Sequence, residues 1–219
     1  MSRKVIKDSE QIRNNPQFKL AYKLVFREIP EFVLHQAGRR NPVTFVYYII
    51  LLALLTAVIV YPFSCIHDIY PAGQWFRYAA LGFVVFPVLS IPVHEGIHGL
   101  VYLLAGAPRI RIGADWKLFF FYIAADRFPV DVKWFRRIAF APALILSVIL
   151  LGIPLLPGID SLLIWSMLIT GFVHFTMCIG DFAMAGFLYE FHDPDMVTFD
   201  DLSEKAAYFY SSNPSNIPE

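Results

Sequence analysis

Charged residues are scarce in this 219-residue chain: Asp, Glu, Lys and Arg together make up 16% of it, against about 25% in soluble domains. A disordered chain and a nucleic-acid-binding protein are both poor fits, because the first is rich in charge and the second carries a strong basic excess. Here 18 basic residues balance 18 acidic ones. We therefore expect no nucleic-acid partner.

Cysteine is scarce as well, since the chain contains only Cys65 and Cys178. Two cysteines at this separation form neither a disulfide framework nor a Cys-x-x-Cys motif. The sequence also lacks an internal repeat, which is the usual sign of a transporter built from two related halves. Neither a disulfide scaffold nor a repeat-built transporter is therefore favoured.

Hydrophobic residues, by contrast, make up 57% of the chain, where about 45–50% is ordinary. A soluble domain of this size cannot bury so much apolar surface, so the excess must face lipid. Four apolar stretches are long enough to cross about 30 Å of hydrocarbon as helices: residues 43–63, 77–105, 134–157 and 161–189. The sequence predicts an all-α integral membrane protein with four transmembrane helices in a lipid bilayer.

Lysine and arginine are distributed unevenly over the connections between these stretches. Nine of them precede residue 41 and seven lie in the connection 106–137, whereas the connections 64–76 and 158–160 contain none. Lys and Arg in short connections concentrate on the cytoplasmic side of a membrane. We therefore expect a multi-pass protein with both termini and the 106–137 connection in the cytoplasm.

Two segments outside the spans carry structure of their own. Apolar residues from Phe18 to Val33 recur at helical spacing and predict an N-terminal amphipathic helix on the inner leaflet, or alternatively a cytoplasmic helix packed on the 106–137 connection. Residues 109–128 are β-prone and predict a hairpin that turns at Gly113-Ala114-Asp115. The predicted organisation is an amphipathic N-terminal segment, a four-helix transmembrane domain and an acidic cytoplasmic tail, at residues 1–42, 43–189 and 190–219.

The second predicted span contains the sequence His94-Glu95-Gly-Ile-His98. On a helix the two imidazoles lie on one face and can bind one zinc ion, while Glu95 can act on a water at the metal as general base. A charge at bilayer depth costs about 2.5–3.5 kcal/mol, so three ionisable groups within five residues indicate function. The alternative is a polar cluster hydrogen-bonded between helices, or a proton relay.

A zinc site of this kind needs a third protein ligand and leaves the fourth position to water. Asp181 is the only carboxylate within the third or fourth predicted span, and it lies at about the depth of His98, roughly 10–12 Å from the cytoplasmic helix ends. We therefore predict Asp181 as the third ligand. His174 lies two helical turns earlier, too far to share the ion along a straight helix, and we expect it to contact the site, to line a substrate channel or to make an interhelical hydrogen bond. We expect a packed thiol at Cys178 and a solvated turn at 192–195.

The sequences His-Glu-Gly-Ile-His-Gly at 94–99 and Gly-Asp-Phe at 180–182 make the chain similar to the bacterial putative zincin peptidase family, formerly a domain of unknown function. The chain also resembles intramembrane zinc metalloproteases of the site-2 protease type. Those enzymes usually present the aspartate as Asn-Pro-Asp-Gly or Leu-Asp-Gly, whereas Ile-Gly-Asp-Phe stands here. The resemblance covers roughly residues 75–190. It implies that His94, His98 and Asp181 bind Zn2+ and that Glu95 is the catalytic carboxylate.

Two hypotheses follow. In the first, the chain is a zinc metalloendopeptidase of the HExxH type that hydrolyses peptide bonds of membrane-embedded or membrane-proximal proteins. The family resemblance implies that this enzyme lies in the inner membrane of a bacterium. In the second, it is a non-catalytic metal-binding membrane protein, such as a carrier or an assembly partner. Glu95 separates the two, because only the enzyme requires its carboxylate.

Overall fold

A computed structural model of the chain describes residues 8–65, 70–115 and 120–212. Most of these residues are helical, and the rest include two small antiparallel sheets. The helices in chain order are α1 (Ser9–Arg13), α2 (Ile29–Ala37), α3 (Pro42–Cys65), α4 (Ala72–Ala80), α5 (Phe86–Leu104), α6 (Val132–Gly152), α7 (Ser161–Met177) and α8 (Ile179–Glu190). The strands are β1 (Lys19–Val25), β2 (Arg111–Asp115), β3 (Phe120–Ala124), β4 (Val130–Asp131), β5 (Val197–Asp201) and β6 (Ala206–Ser211).

Within the described residues, three helical segments are long and apolar enough to cross a membrane. They are α3, the 33-residue segment Ala72–Leu104 and the segment Val132–Leu155. The second joins α4 to α5 through the π-helical turn Leu81–Val85. There Gly82 lets the backbone approach α7 so closely that an added Cβ would lie 2.7 Å from the Ser166 carbonyl oxygen.

The fourth predicted span, 161–189, is not one straight helix. The axes of α7 and α8 form an angle of 43°. Only the two helices together are long and apolar enough to span a membrane. The bend lies at Cys178, whose backbone N–H donates to the carbonyls of both His174 and Phe175 at 3.2 Å. Residues 8–65, 70–115 and 120–212 therefore contain three apolar spans, or four if this bent pair is counted as one.

A four-stranded antiparallel sheet in the order β1-β6-β5-β4 was missed by the all-α prediction. It corrects the predicted N-terminal amphipathic helix, because residues 19–25 form a strand, and the helical part begins only with a 3-10 turn at 26–28 and the α-helix at 29–37. β1 becomes a strand by pairing with β6 from the other end of the chain, a long-range partner that helical spacing does not reveal. The region predicted as an acidic tail supplies β5 and β6. The sheet packs on the ends of α6 and α8 through buried residues that include Leu24, Val132, Phe187 and Phe209.

The predicted hairpin is present, with β2 paired to β3 from Arg111↔Ala124 to Asp115↔Phe120. Its predicted turn at residues 113–115 is wrong, because these residues lie inside β2, where Gly113 pairs with Tyr122. The connection 116–119 lies outside the described residues. The hairpin rests on α5 at Gly99, where an added Cβ would meet Ile110 at 3.0 Å and Ile123 at 3.1 Å. The hairpin is thereby held beside the two histidines of α5.

Candidate metal centre

Two helices bring the three predicted ligands together. His94 and His98 lie one turn apart on α5, and Asp181 lies in the first turn of α8. The Nε2 atoms of the two histidines are 3.1 Å apart, and each lies 3.4 Å from an oxygen of the Asp181 carboxylate. The structure therefore produces the juxtaposition that the sequence predicts, while the role of these residues as ligands remains a prediction.

The hydrogen bonding of these groups fits a divalent cation. Nδ1 of His98 lies 2.9 Å from the Ile138 carbonyl oxygen, which only accepts, so this nitrogen carries the proton and Nε2 of the neutral ring presents a lone pair. Two imidazole nitrogens and one carboxylate are a usual donor set for zinc. Ligand bonds of about 2.0–2.1 Å in a tetrahedral site place the ligand atoms about 3.3 Å apart. The observed separations of 3.1 and 3.4 Å match that spacing.

His174 lies against this group. Its Nε2 is 3.1 Å from Nδ1 of His94, so α7 places a third imidazole directly against the metal group. Its own Nδ1 is buried without a hydrogen-bond partner among the described residues. His94, His174 and Cys178 form a second possible metal-ligand group that shares His94 with the first. The Cys178 thiol is buried, as expected, and contacts the His174 carbonyl at 3.3 Å.

Glu95 points toward the hairpin. Its Oε2 accepts a hydrogen bond of 3.1 Å from the backbone N–H of Ile123 in β3. Because this N–H is directed at Glu95 and not at β2, the outer edge of β3 faces the metal group. The carboxylate predicted to be catalytic is therefore anchored to a strand edge beside the possible zinc ligands.

These groups share one cavity of about 610 Å³, a volume within the range of ligand-binding pockets. Its wall is largely apolar and includes Phe26, Val33, Phe135 and Met184. The sheet contributes Leu24, Ala207 and Asp200. Sequence reasoning missed Asp200 as a residue of this cavity, because only the pairing of distant strands brings it there.

The turn at 192–195 is only partly the solvated turn that was expected. His192 is exposed and adopts a positive φ of 50°. Asp193, however, is 5% exposed and accepts hydrogen bonds from the Ser211 hydroxyl and from the backbone of Ser212. This carboxylate fastens the end of β6 to the end of α8, and the turn contributes nothing to the metal group.

A comparison with known protein families finds a match. Residues 87–194 match the family described as "Putative zincin peptidase". No curated protein and no solved structure matches the chain. The matched segment contains both histidines of α5, Glu95, the hairpin and Asp181. Residues 87–194 are therefore similar in sequence to the putative zincin peptidase family.

Proposed function

We propose that the chain is an intramembrane zinc metalloprotease that hydrolyses peptide bonds of membrane-embedded or membrane-proximal proteins. One observation carries this proposal: two imidazole nitrogens and a carboxylate converge at 3.1–3.4 Å on a cavity that Glu95 also lines. The similarity of residues 87–194 to a zincin peptidase family supports the metallopeptidase class. The apolar helices support a location in a membrane.

His94, His98 and Asp181 would hold the zinc ion. Bound zinc would supply Lewis-acid polarisation of the scissile carbonyl and would lower the pKa of a water molecule. The fourth position would be reached from the cavity, since His94, His98 and Asp181 all line it. The apolar wall would exclude bulk water and so strengthen every electrostatic interaction within the cavity.

Glu95 would act as the general base. Its carboxylate would take a proton from the attacking water and pass it to the leaving amine, a transfer that contributes about 10²–10⁴-fold to such reactions. The hydrogen bond from Ile123 fixes one oxygen of this carboxylate. The hairpin would thereby set the direction in which Glu95 presents its other oxygen.

The substrate would bind as an extended segment. A helix hides its peptide bonds, so a membrane-spanning substrate must unwind locally before it is cut. The outer edge of β3, which faces the metal group at Ile123, would receive the unwound segment as an added strand. The excess of Lys and Arg before residue 41 and in 106–137 favours a cytoplasmic position for the sheet and the hairpin.

A second candidate is a non-catalytic metal-binding membrane protein. The group of His94, His174 and Cys178 favours it, because thiolate and imidazole together bind zinc tightly in structural sites. Glu95 has no part in that group. The two candidates therefore differ in whether the Glu95 carboxylate is needed.

The test is cleavage of a single-span peptide by the full chain in liposomes. Zinc-loaded wild type should cleave it, a chelator should stop cleavage and added zinc should restore it. Glu95→Gln should lower the rate at least ~10²-fold while zinc stays bound, whereas the control Glu31→Gln, which changes an exposed glutamate, should behave as wild type. Chelator-insensitive cleavage, or wild-type rates in Glu95→Gln, would refute the proposal.

A further inference from the structure

The floor of the cavity contains a carboxylate that the proposed reaction does not use. Leu24, Ala207 and Asp200 lie side by side in one row of the sheet, because Ala207 pairs with Leu24 on β1 and with Asp200 on β5. All three line the cavity. The small side chain of Ala207 leaves room beside the carboxylate of Asp200, so an incoming side chain can approach it.

Neighbouring acidic residues already have partners. Asp201 forms ion pairs with Arg13 at 3.1 Å and with Arg127 at 3.0 Å. Asp126 accepts a hydrogen bond from the Leu202 backbone. Across the described residues, by contrast, no ion pair or side-chain hydrogen bond involves Asp200, although its backbone carbonyl accepts from Arg127.

The cavity offers this carboxylate no cation of its own. No Lys or Arg is among the described residues that line it. The other Asp, Glu and His side chains in its wall belong to the metal centre or contact it, namely His94, Glu95, His98, His174 and Asp181. Burial and the nearby Asp126 raise the pKa of Asp200 to about 6, so the group is still mostly ionised at neutral pH. A partly buried carboxylate without a counter-ion destabilises a fold, which points to a cationic ligand that arrives from outside.

We propose that Asp200 is a specificity-determining residue that binds the ammonium or guanidinium group of a basic side chain in the substrate. This role rests on the proposed proteolytic function and narrows its substrate class. Spanning segments carry Lys and Arg at their cytoplasmic ends, and the cavity extends from the metal group to the sheet that contains Asp200. The favoured substrates are therefore membrane proteins cut near the basic cytoplasmic end of a spanning segment.

The experiment uses peptides that differ at one position. A single Lys is moved through successive positions on the cytoplasmic side of the cleavage site, and each Lys peptide has a Gln counterpart. With zinc-loaded wild type in liposomes, Lys should raise kcat/KM at least about 10-fold over Gln at one or two positions. Asp200→Asn should reduce that ratio to about 2 or less, and Asp200→Lys should favour a Glu peptide at the same position.

Asp126→Asn is the matched control. It removes the same charge from the residue bridged to Asp200, and the Asn oxygen can still accept from Leu202. If Asp200 contacts the substrate directly, Asp126→Asn should keep the Lys preference. Equal loss of the Lys preference in Asp126→Asn and Asp200→Asn would show that the preference comes from the overall negative charge of this region and not from a contact with Asp200. That result would overturn the proposal.

A binding measurement separates this inference from the proposed function. The zinc-loaded Glu95→Gln chain, with and without Asp200→Asn, is titrated with fluorescent Lys and Gln peptides. Tighter binding of the Lys peptide that disappears with Asp200→Asn supports the role of Asp200 even if wild type cleaves nothing. Cleavage by wild type without Lys preference, or a preference that persists in Asp200→Asn, refutes the role of Asp200 and leaves the protease standing.

Discussion

The imidazole of His94 contacts different groups through its two ring nitrogens. Nε2 faces His98 and Asp181, and Nδ1 faces His174 at 3.1 Å. The partner on the second nitrogen of a metal-binding histidine fixes both its tautomer and its ring orientation. We therefore predict that His174 positions His94, by accepting its Nδ1 proton and leaving Nε2 for a metal.

Replacement of His174 tests this role. His174→Phe fills similar space without an acceptor, and zinc affinity should fall about 10- to 100-fold, as measured by chelator competition on the full chain. His174→Gln offers an acceptor oxygen and should lose less. Replacing zinc by cobalt shows whether His174 is a ligand or a positioning residue. A thiolate charge-transfer band that disappears in Cys178→Ser would show that the group of His94, His174 and Cys178 binds the metal instead. Unchanged affinity in His174→Phe would contradict the positioning role.

The raised pKa of Asp200 should also make the stability of the folded chain depend on pH. Burial and Asp126 raise the pKa of Asp200 to about 6 in the folded chain. Between the ordinary pKa of an aspartate and about pH 6, the folded state therefore binds more protons than the unfolded state. The stability of the folded chain falls as the pH rises through this window. Asp200→Asn should therefore stabilise the chain near pH 8, by on the order of 2–3 kcal/mol. This gain should shrink steadily as the pH falls from about 7 to 4 in detergent unfolding experiments. A gain independent of pH would contradict an ionised, unpaired carboxylate.

Among the helices and strands, local patterns were predictable and distant pairings were not. The apolar spans and the hairpin follow from runs of adjacent residues, and so does the i, i+4 placement of His94 and His98 on α5. β1 was predicted as a helix because its partner β6 lies almost two hundred residues away. The contact of His174 with His94 joins α7 to α5 across 80 residues of sequence, so it could not be predicted from spacing along one helix.

The contact between α5 and the hairpin at Gly99 should keep the Glu95 carboxylate in place. A Cβ at Gly99 would lie 3.0–3.1 Å from Ile110 and Ile123, so the larger side chain of Gly99→Val should push β3 away and break the hydrogen bond from Ile123 to Glu95. Cleavage should fall at least about 10-fold, which is part of the roughly 10²–10⁴-fold that a positioned general base contributes, while zinc content stays unchanged. Gly96→Val is the control, because Gly96 has nothing within 4 Å of its Cβ position. Equal activity in the two variants would show that the hairpin does not position Glu95.

For the whole molecule, the distribution of Lys and Arg predicts one orientation in the membrane. In a chain whose own cysteines are replaced, cysteines introduced as Gly73→Cys and Pro157→Cys should react with an impermeant reagent from outside. Those introduced as Gln17→Cys and Arg109→Cys should react only after the membrane is opened. All four positions are exposed on the protein surface. Labelling of Arg109→Cys from outside would reverse the orientation and move the hairpin and the sheet to the other side.

In the proposed enzyme, His94, His98 and Asp181 hold one zinc ion with Glu95 beside it. The most direct test is the metal content of the purified full chain, measured by mass spectrometry for wild type, Glu95→Gln and Asp181→Ala. Wild type and Glu95→Gln should each contain about one zinc per chain, because the general base is not a ligand. Zinc in Asp181→Ala should be at least about 10-fold lower at equal free zinc, since a ligand is lost while the helices remain. A wild type that binds no zinc, or full occupancy in Asp181→Ala, would contradict this assignment.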